Sequence, residues 1–383
     1  FDHTNYYTMR HVGLIPLKTH SATIPNKNRK KMLGRPLFCW ILTEAIYSKL
    51  DLVVVATNDE WITNFIATHY QWTDKVKVIN RSKASEEGSL ENAAIEFLEN
   101  TSEQFDSLSL LLATNPFTRS KDINKCLEAI VDGNSSAVTV ANTLNSIWNS
   151  NGEAINDNEG FQIENSGVFS TTVNNLKNNK SLLTGTVATV EMPKHATATL
   201  SNFNDWQLAE LSLANLLISN KENKKIKYLV LDVDGVFTDG GVYYDENGEM
   251  AKRFDMRDGM GLEIMREHNI QVVIMTSEDS KLVRKRMEKL KLKHLFLGAK
   301  DKYSLLENFI QTQQISRSEI AYVGDDVNDL ANLCSVGWSF APKNATNQVL
   351  PLVDVVLSKD SGNGAIREAT EFLLQYNNRQ FKA

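Results

Sequence analysis

The segment LDVDGVFTDG at 231–240 sets Asp232 and Asp234 two residues apart at the end of the apolar run YLVL. Aspartate is poorly suited to a strand interior, so the pair belongs at a strand exit, where the chain turns at Gly235. Ligand crevices of open α/β sheets lie at such exits. A capped turn is the alternative, because Asp-x-Asp-Gly is also ordinary turn chemistry. Three further segments argue against a mere turn. VVIMTSE ends on Thr276, whose hydroxyl suits a phosphate oxygen. AKDKYS brings Lys302, a cation able to hold a transferring phosphoryl group, and YVGDDVND brings Asp325, Asp326 and Asp329. Carboxylates packed this closely repel one another, so some must meet a cation. Oxygen-only ligands at a phosphate-handling site suit Mg²⁺. A carboxylate attacks a phosphate only where the charge between them is neutralised, and catalysis is then mostly positioning and electrostatics.

The elements that must position these residues alternate between strand and helix. In the second half, YLVLDVDG, HNIQVVIMTSE, HLFLG, IAYVGDD and VDVVLS are short apolar runs separated by helical segments. The first half repeats the pattern with VGLIPL, LVVVAT, LSLLLAT and SAVTVA, interleaved with helical stretches such as PLFCWILTEAIYSK. Such alternation predicts α/β domains built on mainly parallel sheets. Residues 145–165 are rich in Asn and Gly and read as a long loop. The polar, basic stretch 218–226 reads as a linker between a domain at 12–217 and another at 227–383.

Composition narrows the function. With 41 Lys and Arg against 47 Asp and Glu, the 383-residue chain carries a net charge of −6, which argues against a nucleic-acid binder. No apolar run reaches the roughly 18 residues of a membrane span. Three separated cysteines, Cys39, Cys126 and Cys334, exclude a disulfide scaffold and a cysteine zinc site. The opening FDHTNYYTMRH has neither Met nor an apolar signal core, and a cytoplasmic enzyme is the expectation.

On the motifs LDVDG, Thr276, Lys302 and GDDVND, the second half, from about residue 225 to 383, resembles phosphatases of the haloacid dehalogenase superfamily that lack a cap domain. More narrowly it resembles 3-deoxy-octulosonate 8-phosphate and 3-deoxy-nononate 9-phosphate phosphatases. The resemblance implies that Asp232 is the nucleophile forming an aspartyl-phosphate and that Asp234 is general acid, then base. It implies that Thr276 and Lys302 bind the phosphoryl group. Asp325 would complete the Mg²⁺ site with Asp232 and the Asp234 carbonyl, with Asp326 in support. After Thr276 the chain reads Ser277-Glu278, closer to the Thr-Gly-Glu of the nononate enzymes than to the Thr-Gly-Arg usual in the octulosonate ones. Arg284, Arg286 and Lys289 match the nononate group and suit a sugar-acid carboxylate, with Glu278 accepting from sugar hydroxyls. A solvated charged helix is the alternative for Arg284 and Arg286. The tail SGNGAIREATEFL resembles the family's Gly-rich C-terminal segment, which reaches a neighbouring subunit's site and makes Arg367 a candidate ligand; a free tail is the alternative. A homotetramer follows from this resemblance, since a capless phosphatase leaves its site open.

The first half, about 12–215, resembles acylneuraminate cytidylyltransferases, whose loop after the first strand runs roughly I-P-A-R-G-G-S-K-G-I-P-x-K-N. Ile15, Pro16, Ser21, Ile24, Pro25, Lys27 and Asn28 match. Lys18 stands for the Arg, Thr19, His20 and Thr23 for Gly, and Ala22 for Lys. Gly there lets backbone N–H groups approach phosphates, so these changes weaken triphosphate binding. Nucleotide-binding candidates are Lys18, Ser21, Lys27 and Asn28, with CTP the implied ligand. Leu112 occupies a Gln place, and Thr199 and Ser201 align with the metal-binding Asp pair. Neutral hydroxyls replace carboxylates poorly on a hard divalent ion. Asp205, Asp59 and Glu164 are carboxylates that a shifted register would offer instead.

Together these readings give an α/β chain of two Rossmann-like domains, nucleotide-diphospho-sugar-transferase-like and then haloacid dehalogenase-like. The expected activity is Mg²⁺-dependent hydrolysis of a 2-keto-3-deoxy sugar-acid phosphate, a nonulosonate 9-phosphate, in sialic-acid-like sugar biosynthesis. The rival readings of the first domain are a working CMP-sugar synthetase and a non-catalytic scaffold.

Overall fold

The computed structural model describes residues 9–21, 23–143, 148–153, 161–197 and 200–381. The chain forms two compact units. One holds the residues up to Met32 with Pro36–Ser212, the other Leu33–Arg35 with everything from Leu213 onward.

The first unit is built on seven strands: β1 (His11–Pro16), β2 (Leu52–Ala56), β3 (Val76–Ile79), β4 (Ser107–Leu111), β5 (Ser136–Thr143), β6 (Phe161–Thr172) and β7 (Val187–Met192). They lie in the order β3-β2-β1-β4-β6-β5-β7. Helices α1 (Leu37–Ile46), α2 (Glu60–His69), α3 (Lys83–Glu87), α4 (Leu90–Asn100), α5 (Ser120–Val131) and α6 (Val173–Asn179) connect them, and α7 (Phe203–Ser219) follows. Alternation sorts β1 and β2 between two cores: Val12, Leu14, Leu52 and Val54 enter one, Ile15, Val53 and Val55 the other. Both faces are covered, which is why these strands read as unbroken apolar runs.

Two sequence expectations need correction. The sheet is mixed, because β6 runs antiparallel to both β4 and β5. Part of the expected 145–165 loop is strand: Gln162, Ile163 and Glu164 pair with Asn142, Ala141 and Val140. Gln162, Ile163 and Glu164 are exposed, and the polar side chains of Gln162 and Glu164 hide the strand. Residues 144–147 and 154–160 of that stretch lie outside the described residues.

The second unit carries a six-stranded parallel sheet of β8 (Tyr228–Leu231), β11 (Gln271–Met275), β12 (His294–Phe296), β13 (Ile320–Val323), β14 (Trp338–Ala341) and β15 (Val355–Val356), with β9 (Tyr243–Asp245) and β10 (Gly248–Ala251) forming a separate hairpin. The sheet order is β12-β11-β8-β13-β14-β15. The helices are α8 (Met256–Glu267), α9 (Lys281–Lys289), α10 (Lys302–Gln313), α11 (Leu330–Ser335) and α12 (Ala365–Gln380). Leu229, Leu231, Ile274, Val323 and Phe340 build its core with Leu262, Met287 and Leu373 from the helices. Because β8 lies between β11 and β13, the three parallel exits bring the segments after Leu231, Met275 and Val323 to one edge. Among the described residues no helix is long and apolar enough to cross a membrane.

Candidate active site

Asp232 follows β8 directly, and its N–H donates to the Val323 carbonyl of β13 at 3.1 Å. That ladder contact carries the β8 exit alongside the β13 exit, where Asp325 and Asp329 follow. Gly235 makes the next turn at φ +81°, and a Cβ there would lie 2.1 Å from Asp325 Oδ2. Only glycine accepts both the left-handed backbone and the approaching carboxylate. Lys302 opens α10, and its fully buried Nζ lies 2.8 Å from Asp232 Oδ2 and 2.8 Å from Asp329 Oδ1. Asp329 also accepts from the Tyr322 hydroxyl at 2.7 Å and from the Asp325 N–H at 3.3 Å.

One ammonium thus faces three carboxylates. Burial is the largest influence on Asp232 and, with the Asp329 charge, pushes its carboxyl up to about 7 despite Lys302. Burial, together with Asp329 and Asp232, pushes Asp325 up to about 8. For Lys302 burial works against the charge, but Asp232 and Asp329 outweigh it and keep the ammonium protonated. The site is therefore short of positive charge. Oxygens of Asp232, Asp325 and Asp329 all lie within 4.8 Å of one another. Asp329 is committed to Lys302, Tyr322 and the Asp325 backbone, whereas Asp325 Oδ1 is buried without a hydrogen-bond partner. An orphaned acceptor in an excess of carboxylate fits a hard divalent cation.

The other expected residues fall into two groups. Thr276 ends β11 almost fully buried, its N–H on the Phe296 carbonyl and its Oγ1 accepting from the Glu278 N–H at 3.4 Å. The Asp234 carboxylate lies outside the three-carboxylate cluster and is gripped by Lys252 at 2.7 and 2.9 Å. Farther out, Glu278 is exposed and paired with Lys300 at 3.1 Å. Arg284 is bonded to Asp279 at 2.8 Å, and Arg367 to Glu371 at 2.7 Å. The Arg286 guanidinium lies 5.6 Å from the Phe254 ring, and Lys289 is exposed at the end of α9. Asp326, expected in metal support, is exposed and accepts from the Val327 N–H instead. The inward position falls to Asp329, because a short 3₁₀ turn (Val327–Asp329) follows Asp326 and points the third residue back at Lys302. Sequence reasoning counted Asp329 among the close-packed carboxylates of GDDVND but assigned it no individual task; Tyr322 and Lys252 carried no signal at all.

In the first unit several groups of the loop after β1 are bonded within that unit, while the Lys18 side chain is exposed. Lys27 Nζ donates to the Leu200 carbonyl at 2.7 Å, and burial lowers its pKa. Asn28 donates to the Lys18 carbonyl at 3.0 Å, and Ser21 Oγ accepts from the Ile24 N–H at 3.3 Å. The Thr19 N–H donates to Glu86 at 2.7 Å. Asp59 caps α2 and pairs with Arg29, Asp205 accepts from the Ser201 N–H, and Glu164 is exposed on β6. Among the described residues these carboxylates form no cluster with metal-ligand spacing. Ala22 and Thr199 lie outside the described residues.

Two family models match the chain, and their ranges overlap between residues 135 and 230. A cytidylyltransferase family model matches residues 12–230, and a haloacid dehalogenase-like hydrolase model matches 135–368. The 3-deoxy-D-manno-octulosonate 8-phosphate phosphatase of Haemophilus influenzae is 39% identical over 152 residues, 40% of this chain and 84% of that protein. Its Escherichia coli K12 counterpart is 37% identical over 158 residues, 41% and 83% of the two chains. The solved cobalt-bound structure of the Haemophilus influenzae phosphatase is 37% identical, covering 42% of this chain and 94% of that one with a TM-score of 0.39. The Moraxella catarrhalis phosphatase, solved with magnesium, phosphate and KDO, is 31% identical and covers 44% and 93%, with a TM-score of 0.39. Each family model spans more than half of the chain, and the curated relatives are covered over most of their length. The chain therefore belongs to the haloacid dehalogenase-like hydrolases, as a phosphatase related to the octulosonate 8-phosphate enzymes, and also to the cytidylyltransferases.

Proposed function

We propose that the second unit hydrolyses the phosphate monoester of a 2-keto-3-deoxy sugar acid, a nonulosonate 9-phosphate of sialic-acid-like sugar biosynthesis, with Mg²⁺. The observation that carries this reading is the buried Lys302 between Asp232 and Asp329, beside the unpartnered Asp325 oxygen. Asp232 Oδ attacks phosphorus, an O–P bond forms, and the bond from phosphorus to the sugar oxygen breaks. Asp234 gives its proton to the departing oxygen, then takes one from the water that attacks the aspartyl-phosphate and releases phosphate. Thr276 and Lys302 hold the phosphoryl oxygens. Asp232, Asp325 and the Asp234 carbonyl would hold Mg²⁺, which neutralises phosphoryl charge when bound. The curated relatives act on an eight-carbon sugar acid by name; the preference for nine carbons rests on Glu278 with Arg284, Arg286 and Lys289.

Exposed Tyr243, Tyr244 and Met250 on the β9–β10 hairpin support a subunit contact there, and with it the homotetramer in which Arg367 serves a neighbour's site. Light scattering that finds an active monomer would overturn it. For the first unit, the bonded loop favours a domain with little or no CMP transfer, while the cytidylyltransferase family match favours CTP as its ligand. A screen of sugar phosphates for phosphate release, with Mg²⁺ and with chelator, tests the main reading. Release from a nonulosonate 9-phosphate that needs Mg²⁺ is expected, and no release from any sugar-acid phosphate would end it.

A further inference from the structure

Lys252 follows the hairpin strand β10, and its side chain is only 2% exposed. Its Nζ sits between two carboxylates from different segments. Asp234 Oδ1 and Oδ2 lie 2.7 and 2.9 Å away, and Glu249 Oε1 lies 2.8 Å away. Glu249 in turn accepts from the Ser280 hydroxyl. Ser280 caps α9, its Oγ also accepting from the Val283 N–H at 3.4 Å. A continuous polar chain, Asp234–Lys252–Glu249–Ser280, thus joins the β8 exit to the helix that carries Arg284 and Arg286. A buried ammonium persists only when its carboxylate partners are held in good geometry. Asp234 Oδ2 accepts a hydrogen bond from Lys252, and Oδ1 lies at ion-pair distance from the same ammonium without a hydrogen bond of its own, so Lys252 is the group that holds this side chain in place.

We propose that Lys252 is a positioning residue for Asp234, and that the Glu249–Ser280 contact fastens the hairpin to α9 so that the position of α9 sets that of Asp234. The inference rests on the acid–base role of Asp234 in the proposed phosphatase reaction. Lys252 touches neither the phosphoryl group nor the leaving oxygen in this scheme. It aims the carboxyl that moves protons to the leaving oxygen and from the attacking water, so its loss strikes proton-transfer steps and leaves nucleophilic attack by Asp232 intact.

The test uses the full-length protein with Mg²⁺ and two substrates, a sugar-acid phosphate and p-nitrophenyl phosphate. General acid–base catalysis contributes roughly 10²–10⁴-fold. Lys252→Met should therefore lower kcat on the sugar-acid phosphate by at least about tenfold with KM little changed. With p-nitrophenyl phosphate the leaving group departs without a proton. The variant should then release about one equivalent of nitrophenolate per site at the wild-type rate, followed by slow turnover as the aspartyl-phosphate accumulates. Lys252→Arg should restore part of kcat, and Glu249→Gln should show the same burst in weaker form. Should Lys252→Met fail to fold, Glu249→Gln and Ser280→Ala carry the test. Equal loss of burst and turnover, a change in KM alone, or unchanged kinetics would overturn the proposal. If wild-type protein ignores every sugar-acid phosphate, the substrate reading falls, and the nitrophenyl arm still decides the role of Lys252.

Discussion

Both units hold strand-exit loops rich in charge, yet they use that charge differently. In the second unit Lys302 lies between Asp232 and Asp329, and Asp325 is left with a buried oxygen that no protein donor meets. In the first, Lys27 is bonded to the Leu200 carbonyl, Arg29 to Asp59, and Lys30 packs over the rings of Phe203 and Trp206. Charges that converge without full compensation invite a ligand, because the missing counter-charge must come from outside. Charges matched by neighbours hold a loop in shape. Single buried polar atoms without a hydrogen-bond partner occur in the first unit too, such as Arg81 Nη1; what sets the second unit apart among the described residues is that three carboxylates converge around one such atom.

The sharpest way to break this comparison is at Asp232. Asp232→Asn removes the carboxylate proposed to attack phosphorus while keeping its shape, and phosphatase turnover should fall roughly 10³-fold or more. Circular dichroism should stay unchanged, and turnover near the wild-type level would dismiss the covalent route. Lys302→Met comes next. It leaves Asp232 and Asp329 buried without their cation, a loss of about 3–5 kcal/mol. Urea unfolding measures it, and saturating Mg²⁺ should return part of the loss, since a ligand of the folded state stabilises it. A variant as stable as the wild type would show that the pair contributes little.

The first unit sharpens the contrast from the other side. Losing one electrostatic donor typically costs roughly 10²–10³ in rate, and the β1 loop lacks several. CMP-sugar formation from CTP with a panel of nonulosonates and Mg²⁺ or Mn²⁺ should therefore stay well below about one turnover per second, the low end of ordinary enzymes. Turnover at that level or above would show a working transferase with carboxylates from another register. The smallest expected effect is at Glu278. Glu278→Arg should shift the ratio of kcat/KM for nine-carbon over eight-carbon phosphates by about tenfold toward the shorter sugar, the scale of a single pocket contact. An unmoved ratio would remove Glu278 as the reader of chain length.

Much of the second unit was legible because its chemistry sits at strand exits in short motifs. YLVL before Asp232 and IAYV before Asp325 are buried on both faces of a parallel sheet, so hydropathy alone marks where each strand ends. The sequence also bore the acidic excess that a cation must balance. The first part of strand β6 was not legible, because a ladder held by backbone hydrogen bonds leaves no trace in exposed polar side chains such as Gln162 and Glu164. Nor could spacing tell Asp326 from Asp329. A 3₁₀ turn decides which of them faces Lys302, and turn geometry depends on the packing around it.

What the sequence determined by itself is a set of candidate reactive groups and the strands that end beside them: Asp232, Asp234, Thr276, Lys302 and Asp325 are written into local motifs. What the tertiary structure alone decided is which charges remain open. Lys252 reaches Asp234 from 18 positions along the chain, and Lys27 meets the carbonyl of Leu200 from 173 positions away. Such partners are chosen by the folded backbone, because the range of a hydrogen bond is a few ångströms in space and has no counterpart along the sequence.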